Sequence, residues 1–258
     1  MTTVAENAAR LPVKPRPWHC LTDLEDFAIV TYDVDLGALR RVLPPQTKPL
    51  TFDAAGGERG LVSAVIFRDR DFHFRGMPWP RMNCGQVNYR AYVTNGPDVG
   101  VWFFGTSLDH WLTGIARRLW AMPWHREPIQ VRARWHSGDL ERFQFRCSGG
   151  WGEGEAELGP ASQPVGLLPG LASPVQQSEI LLDPFIGWYR RSRDDSIGRY
   201  EVRHVPLRPL RAEVRSARFV VFERLGIVGS EQVPLHAVVQ QATTFDVLTP
   251  PHRTPSRW

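Results

Sequence analysis

Lysine is almost missing from this chain. Of 31 basic residues in 258, only Lys14 and Lys48 are lysines, and the rest are arginines. Amine-based covalent catalysis, which needs a lysine of depressed pKa to form an imine, has only these two residues to draw on. Cysteine is also scarce. Cys20, Cys84 and Cys147 lie far apart and form no CxxC pair, which excludes a disulfide framework and a zinc knuckle and suits reduced thiols in a cytoplasm. No apolar run approaches the roughly 20 residues of a membrane helix. The opening segment MTTVAENAARLPVKPRPW lacks the apolar core of a secretory signal. The histidines show no H-x-H or H-x-x-x-H spacing, so neither a metal nor another cofactor is expected.

What is present fits a globular domain: 42% hydrophobic residues against 22% charged. The net charge of +4 comes from scattered arginines, with pairs such as Arg40-Arg41 and Arg117-Arg118 but no long basic run. That argues against nucleic acid as a partner. The expected partner is a small-molecule substrate, with neither nucleic acid nor membrane, and a homo-oligomer is compatible with it.

Residues 1–17 read as a proline-punctuated arm, 18–249 as a single domain and 250–258 as a tail. Strand patterns dominate: 26–34, 60–72, 83–96, 98–108, 128–136, 142–151, 201–207 and 236–248. Asn95-Gly96 joins two of them as a tight hairpin. Helices are expected at 35–43, from the Asp35 cap to Pro44, at 107–122, with Ser107 as cap and Pro123 as stop, and at 178–191. Residues 159–175 read as a long loop. The fold class is therefore mainly β with a few helices (α+β), arranged as a closed or nearly closed antiparallel barrel with helices over one end.

Three segments carry a family resemblance: YDVDLGALRRVLPPQTKPLTFD (32–53), QVNYRAYVTNGPDVGVWFFGTSLD (86–109), and RHVPLRPLRAEV with VVQQATTFDVLTPP (203–251). Together they resemble the uncharacterised bacterial YqjF-like family of the acetoacetate decarboxylase-like superfamily. The resemblance implies a barrel or cone with a cavity for a small organic acid or ketone. In the decarboxylase an imine-forming lysine follows a proline after a helix. The corresponding stretch here is Met122-Pro123-Trp124-His125-Arg126, and it holds no lysine.

Gln86, Asn88, Arg90 and Tyr92 alternate along one strand and share a face, while Val87, Tyr89, Ala91 and Val93 share the other. On an interior face they present amides, a guanidinium suited to a carboxylate, and a phenol. A solvated face or a structural ion pair is the other reading of the same pattern. The resemblance points to His125 as the proton-transfer residue, beside Glu127 and in the turn where the related enzyme keeps its nucleophile. His204 and His236 lie in strands and read as structural. Gly149-Gly150-Trp151-Gly152 reads as a hairpin turn, since Glu153 and Glu155 disfavour phosphate. Ten tryptophans and thirteen phenylalanines supply core, and a subset of them, Trp102 and Trp124 foremost, is expected to line a cavity.

The catalytic candidates are thus His125, Arg90 and Tyr92, and the substrate-binding candidates Asn88, Gln86, Trp124 and Trp102. The expected activity is non-imine acid–base chemistry on a keto- or carboxyl-bearing, partly apolar molecule, of a lyase or cyclase type in biosynthesis: decarboxylation, dehydration, aldol-type condensation or cyclisation. The alternative is a binding protein that uses the same cavity without turnover.

Overall fold

The computed structural model describes residues 14–54, 57–111, 113–168, 171 and 173–253. Most of the expected arm, the last five residues of the expected tail and Leu112 of the expected second helix lie outside them. The structure is 58% strand and 12% helix, which confirms the mainly β reading. Seven strands close a barrel in the order β5 (Met77–Asn95), β4 (Gly57–Phe74), β1 (Cys20–Val34), β15 (His236–Arg253), β12 (Ile197–His204), β11 (Ile186–Arg190) and β6 (Asp98–Leu108), and β6 pairs back onto β5. Short β2 (Thr47–Pro49), β3 (Phe52–Ala54), β7 (Trp124–Arg126) and β13 (Leu210–Ala212) extend this sheet. A second sheet of β8 (Ile129–His136), β9 (Asp139–Cys147), β10 (Gly154–Leu158) and β14 (Val214–Phe219) packs on the outer wall.

Several expectations are corrected. The barrel is not wholly antiparallel, because β11 runs parallel to β6. A parallel pair needs a long crossover, and residues 109–185 provide it, carrying three strands of the second sheet. The helix expected over 107–122 is shorter. Residues 107–108 complete β6, the helix α2 covers only Thr113–Trp120, and Ala121 at φ 53° turns the chain out before Pro123 is reached. The third helix, expected over 178–191, is a four-residue turn α3 (Pro174–Gln177) and a π-helical turn Ser178–Leu182, after which Pro184 gives way to β11. The first helix stands as read. Here α1 (Leu36–Val42) starts from the Asp35 side chain, which accepts from the Ala38 N–H at 2.7 Å. The segment 250–253, read as tail, belongs to β15.

The middle of the barrel wall is buried on both faces, and there the strands are almost continuously apolar, as over 27–32 of β1 and 60–67 of β4. On β1, Ala28, Val30, Tyr32 and Val34 face the second sheet, while Phe27 and Ile29 face the barrel interior. Leu24 also faces inward, although its parity is the opposite. A bulge at Asp26, with φ 51°, shifts the β1–β4 register there and switches the phase. The Asp26 carboxylate accepts from the Trp135 indole at 2.8 Å and pairs with Arg68 at 2.6 Å, which ties the second sheet to the wall. Two wall tyrosines do the same: Tyr32 donates to the Ala217 carbonyl and Tyr89 to that of Gly152.

The glycine-rich turn after β9 wraps a buried carboxylate. Glu127 accepts from the Trp151 N–H at 2.6 Å, the Gly152 N–H at 2.8 Å and the Ser107 hydroxyl. A Cβ on Gly149 would overlap the Glu127 side chain, and one on Gly152 would overlap Ser107. Ser107 is thus a partner of this carboxylate and not a helix cap. Glu127→Ala strips two buried N–H donors of their acceptor, at about 1–3 kcal/mol each. The melting temperature should fall by about 10 °C. Thermal unfolding followed by circular dichroism checks this, and an unchanged midpoint would show that the turn holds itself.

Candidate active site

Inward-facing side chains from β1, β4, β5, β6, β12 and β15, with residues after α2 and the π-helical turn, enclose one cavity. Its volume is about 120 Å³ for water-sized spheres. Its lining is predominantly apolar and rich in aromatic rings, including Phe67, Phe103, Trp120, Trp124, Tyr200 and Phe245.

Gln86, Asn88 and Arg90 all line it. The interior face of β5 is therefore the polar one, and the outward face of Val87, Tyr89, Ala91 and Val93 is core against the second sheet. Asn88 accepts from Gln86 at 3.0 Å and from Thr106 at 2.8 Å, which keeps its carbonyl occupied. Arg90 is 8% exposed. It donates to the Leu181 carbonyl at 2.9 Å and to the Tyr92 hydroxyl at 3.3 Å, and its Nε has no partner among the described residues. No carboxylate lies within ion-pair distance of it among those residues. A bulge between Tyr89 and Arg90 in the β5–β6 pairing sits beside this group.

Tyr92 shares the inward face but lies in the filled end of the barrel, outside the cavity lining. Its hydroxyl joins Ser63, which joins Thr31, at 2.7 and 2.9 Å. Tyr92 thus positions Arg90 and does not meet the cavity. Trp124 does line the cavity. His125 and Trp102 do not, and strand alternation is the reason. β7 is a strand parallel to β6, so Trp124 points in and His125 points out, where its ring stacks on Trp151 at 3.9 Å. On β6, Val101 and Phe103 point in, and Trp102 packs in the core between barrel and second sheet.

The histidine that reaches the cavity is His204 on β12. Its Nδ1 lies 2.8 Å from the Val205 carbonyl and 3.5 Å from Asp183 Oδ1. Donation from Nδ1 to Val205 leaves Nε2 as the unprotonated nitrogen, with no partner among the described residues. The ring stacks on Phe245 at 4.2 Å. Burial pulls its pKa below the ordinary histidine value; Val205 and Asp183 oppose this, and the Arg90 charge adds to the lowering. Asp183 is itself fixed by the Leu207 N–H at 3.0 Å and the Ser178 hydroxyl. Tyr200 completes the group. It stacks on Phe103 at 5.4 Å and its hydroxyl has no partner among the described residues. Burial pushes the phenol far up, Tyr189 adds to this and Arg90 opposes it. Tyr200 therefore carries its proton at neutral pH.

A second polar group, Asp69, lines the cavity from β4. Its carboxyl accepts from Thr22 at 2.9 Å and from the Cys84 thiol at 3.6 Å, and burial pushes its pKa up to about 7. The alternation Leu61, Ser63, Val65, Phe67, Asp69 puts it on the inward face, a signal that its place in the charged run RDRD masks in the sequence. Neither lysine reaches the cavity: Lys14 and Lys48 are both exposed. Among the described residues no three metal-ligating side chains cluster, and no helix is long and apolar enough to cross a membrane.

The barrel, its outer sheet and its internal cavity define the acetoacetate decarboxylase-like fold. Solved structures show the likeness over nearly the whole chain. An acetoacetate decarboxylase-like enzyme from Sphingomonas wittichii RW1 matches with a TM-score of 0.61 at 11% identity, covering 95% of this chain and 97% of that one. Acetoacetate decarboxylase from Legionella pneumophila matches at 0.59 and 13% identity, covering 99% and 96%. The enduracididine biosynthesis enzyme MppR complexed with pyruvate matches at 0.56 and 14% identity, covering 94% and 91%. No curated protein matches the sequence. The chain belongs to DUF2071, a family of uncharacterized conserved proteins (COG2071), whose model spans residues 22–243.

A raised carboxyl pKa favours the protonated folded state. The stability Asp69 contributes is full below about pH 4 and is lost as pH rises through about 7. Asp69→Asn cannot ionise, so its melting temperature should gain on wild type across that window. A constant difference between the two proteins would show that Asp69 stays ionised.

Proposed function

We propose that the protein is a small-molecule enzyme that binds a partly apolar carboxylate in the barrel cavity and carries out enolisation-type acid–base chemistry without an imine. The observation that carries this is Arg90, a buried guanidinium in an aromatic cavity with no acidic partner among the described residues. An uncompensated buried cation is costly, and a ligand carboxylate bonded to it removes that cost. The fold neighbours named as a decarboxylase and as a pyruvate complex support an acid of this kind.

In this reading Arg90 holds the carboxylate. His204 Nε2 accepts a proton from a carbon beside a carbonyl, while Asp183 and the Val205 carbonyl hold the ring by its other nitrogen. Tyr200 donates a hydrogen bond to the oxygen where negative charge develops. Asn88 and Gln86 orient the middle of the substrate. Decarboxylation, dehydration, aldol-type condensation and cyclisation all pass through such a step. No lysine among the described residues lines the cavity, so this reading involves no imine, and borohydride treatment with pyruvate should leave the protein mass unchanged. A reduced adduct on Lys48 would restore the imine route.

The central test is binding of octanoate by isothermal titration calorimetry. Arg90→Lys loses the planar fork and should weaken binding by about 1–3 kcal/mol, with the fold retained. Equal affinity would remove Arg90 as the anchor. Once an acid that turns over is found, His204→Asn should lower its rate by on the order of 10²–10⁴, whereas His125→Asn should leave it unchanged. Binding of acids with no conversion of any would make the protein a carrier.

A further inference from the structure

We propose that Asp69 forms a second polar subsite of this cavity, so that the substrate is an elongated carboxylate whose far end carries a hydrogen-bond-accepting oxygen. The inference rests on the reading of Arg90 as the carboxylate anchor. Three observations lead to it.

The first is position. Asp69 pairs with Cys84 across β4 and β5, six residues along β5 from Arg90. At about 3.3 Å per residue, that is roughly 20 Å of strand. Asp69 and Arg90 nevertheless line one continuous cavity, with Gln86 and Asn88 between them. A two- or three-carbon acid held by Arg90 would leave the Asp69 end empty. The second is size. A single water needs about 10–15 Å³ of such space and takes about 30 Å³ in the liquid, so about 120 Å³ is room for more than the two or three carbons that Arg90 would hold.

The third is the chemistry of the Asp69 carboxyl. The residue is 4% exposed, and no cation lies within ion-pair distance of it among the described residues. The groups that face it are Thr22 from β1, Cys84 from β5 and Asp109 after β6, and Asp109 carries the same sign of charge. Phe245 from β15 adds no charge. The Thr22 hydroxyl donates to one carboxyl oxygen, and only the weak Cys84 thiol stands beside the other. A carboxyl in these surroundings keeps its proton up to about pH 7. It is then a donor, and the matching ligand group is an acceptor: an ester, amide or ketone oxygen. Above that pH the same group becomes a buried anion that repels such oxygens.

The probes are monomethyl adipate and monomethyl suberate, each compared with the straight-chain acid of equal length, octanoate and decanoate. Calorimetric titrations at about pH 5.5 and about pH 8.5 bracket the Asp69 transition. The better-fitting ester should bind about tenfold tighter than its matched acid at the lower pH. At the higher pH that advantage should disappear. Asp69→Asn keeps a donor and cannot ionise, so it should retain the advantage at both. Equal affinity of ester and matched acid at the lower pH, or an advantage indifferent to pH in the wild type, would overturn the proposal. The wild-type comparison decides it even where the variant fails to fold. Arg90→Gln separates the two readings. It should weaken ester and plain acid alike; if it weakens neither, the anchor fails, whatever the ester preference shows.

Discussion

A stretch of barrel wall covered on both sides governs this structure. Where the outer sheet packs on β1, β4 and β5, each strand supplies side chains to that sheet on one face and to the barrel lumen on the other. Any polar group it carries is then buried by default and needs a partner or a purpose. The outer face answers with tyrosine hydroxyls, which bond to backbone carbonyls of the second layer. The inner face answers in two ways. At the filled end, Thr31, Ser63 and Tyr92 satisfy one another. At the open end, Arg90, Tyr200 and His204 keep atoms that no described residue satisfies.

The difference between those two ends is what makes a site. The Tyr92 network gives Arg90 one hydrogen bond and a ring face, with the guanidinium carbon 5.2 Å from the ring centroid. The π-helical turn gives it a carbonyl. Neither contributes a full negative charge. The guanidinium is held in place and left electrostatically hungry, a state that costs folding energy and favours anion binding. Bulges at Phe104 of β6, beside Arg90, and at Asp26 of β1 tune the same wall. Each inserts one residue, and so places a side chain inside, Thr106 and Leu24, that strict alternation would have put outside.

The polar face of β5 and the β6 boundaries were legible because both follow a two-residue period written in adjacent residues. The misplacement of His125 has the opposite origin. A turn after Pro123 is what the sequence suggests there, whereas residues 124–126 form a strand with His125 at its centre, and one step of alternation exchanges Trp124 for His125. Trp102 departs from expectation for the same reason, since its neighbours Val101 and Phe103 take the lumen. His204 looks structural in the sequence because its partners are remote: Asp183 lies upstream beyond β11, and Phe245 lies on β15. Tyr200 gave no local signal at all. The outer sheet escaped notice because β10 and β14 are short and charged on their exposed faces, so their pairing appears only when the sheet assembles.

The pairing of β1 with β15 joins Cys20 to Val247 and Thr31 to His236, contacts between nearly opposite ends of the chain. β15 also pairs with β12, so one late strand closes the gap between two earlier ones. During synthesis the lumen stays an open, aromatic trough with two unpaired strand edges until β15 has left the ribosome. Contacts of such long sequence separation fold slowly, and open edges of this kind invite association with other chains. The cavity is thus the last part of the molecule to exist, and its history is one of exposure before enclosure.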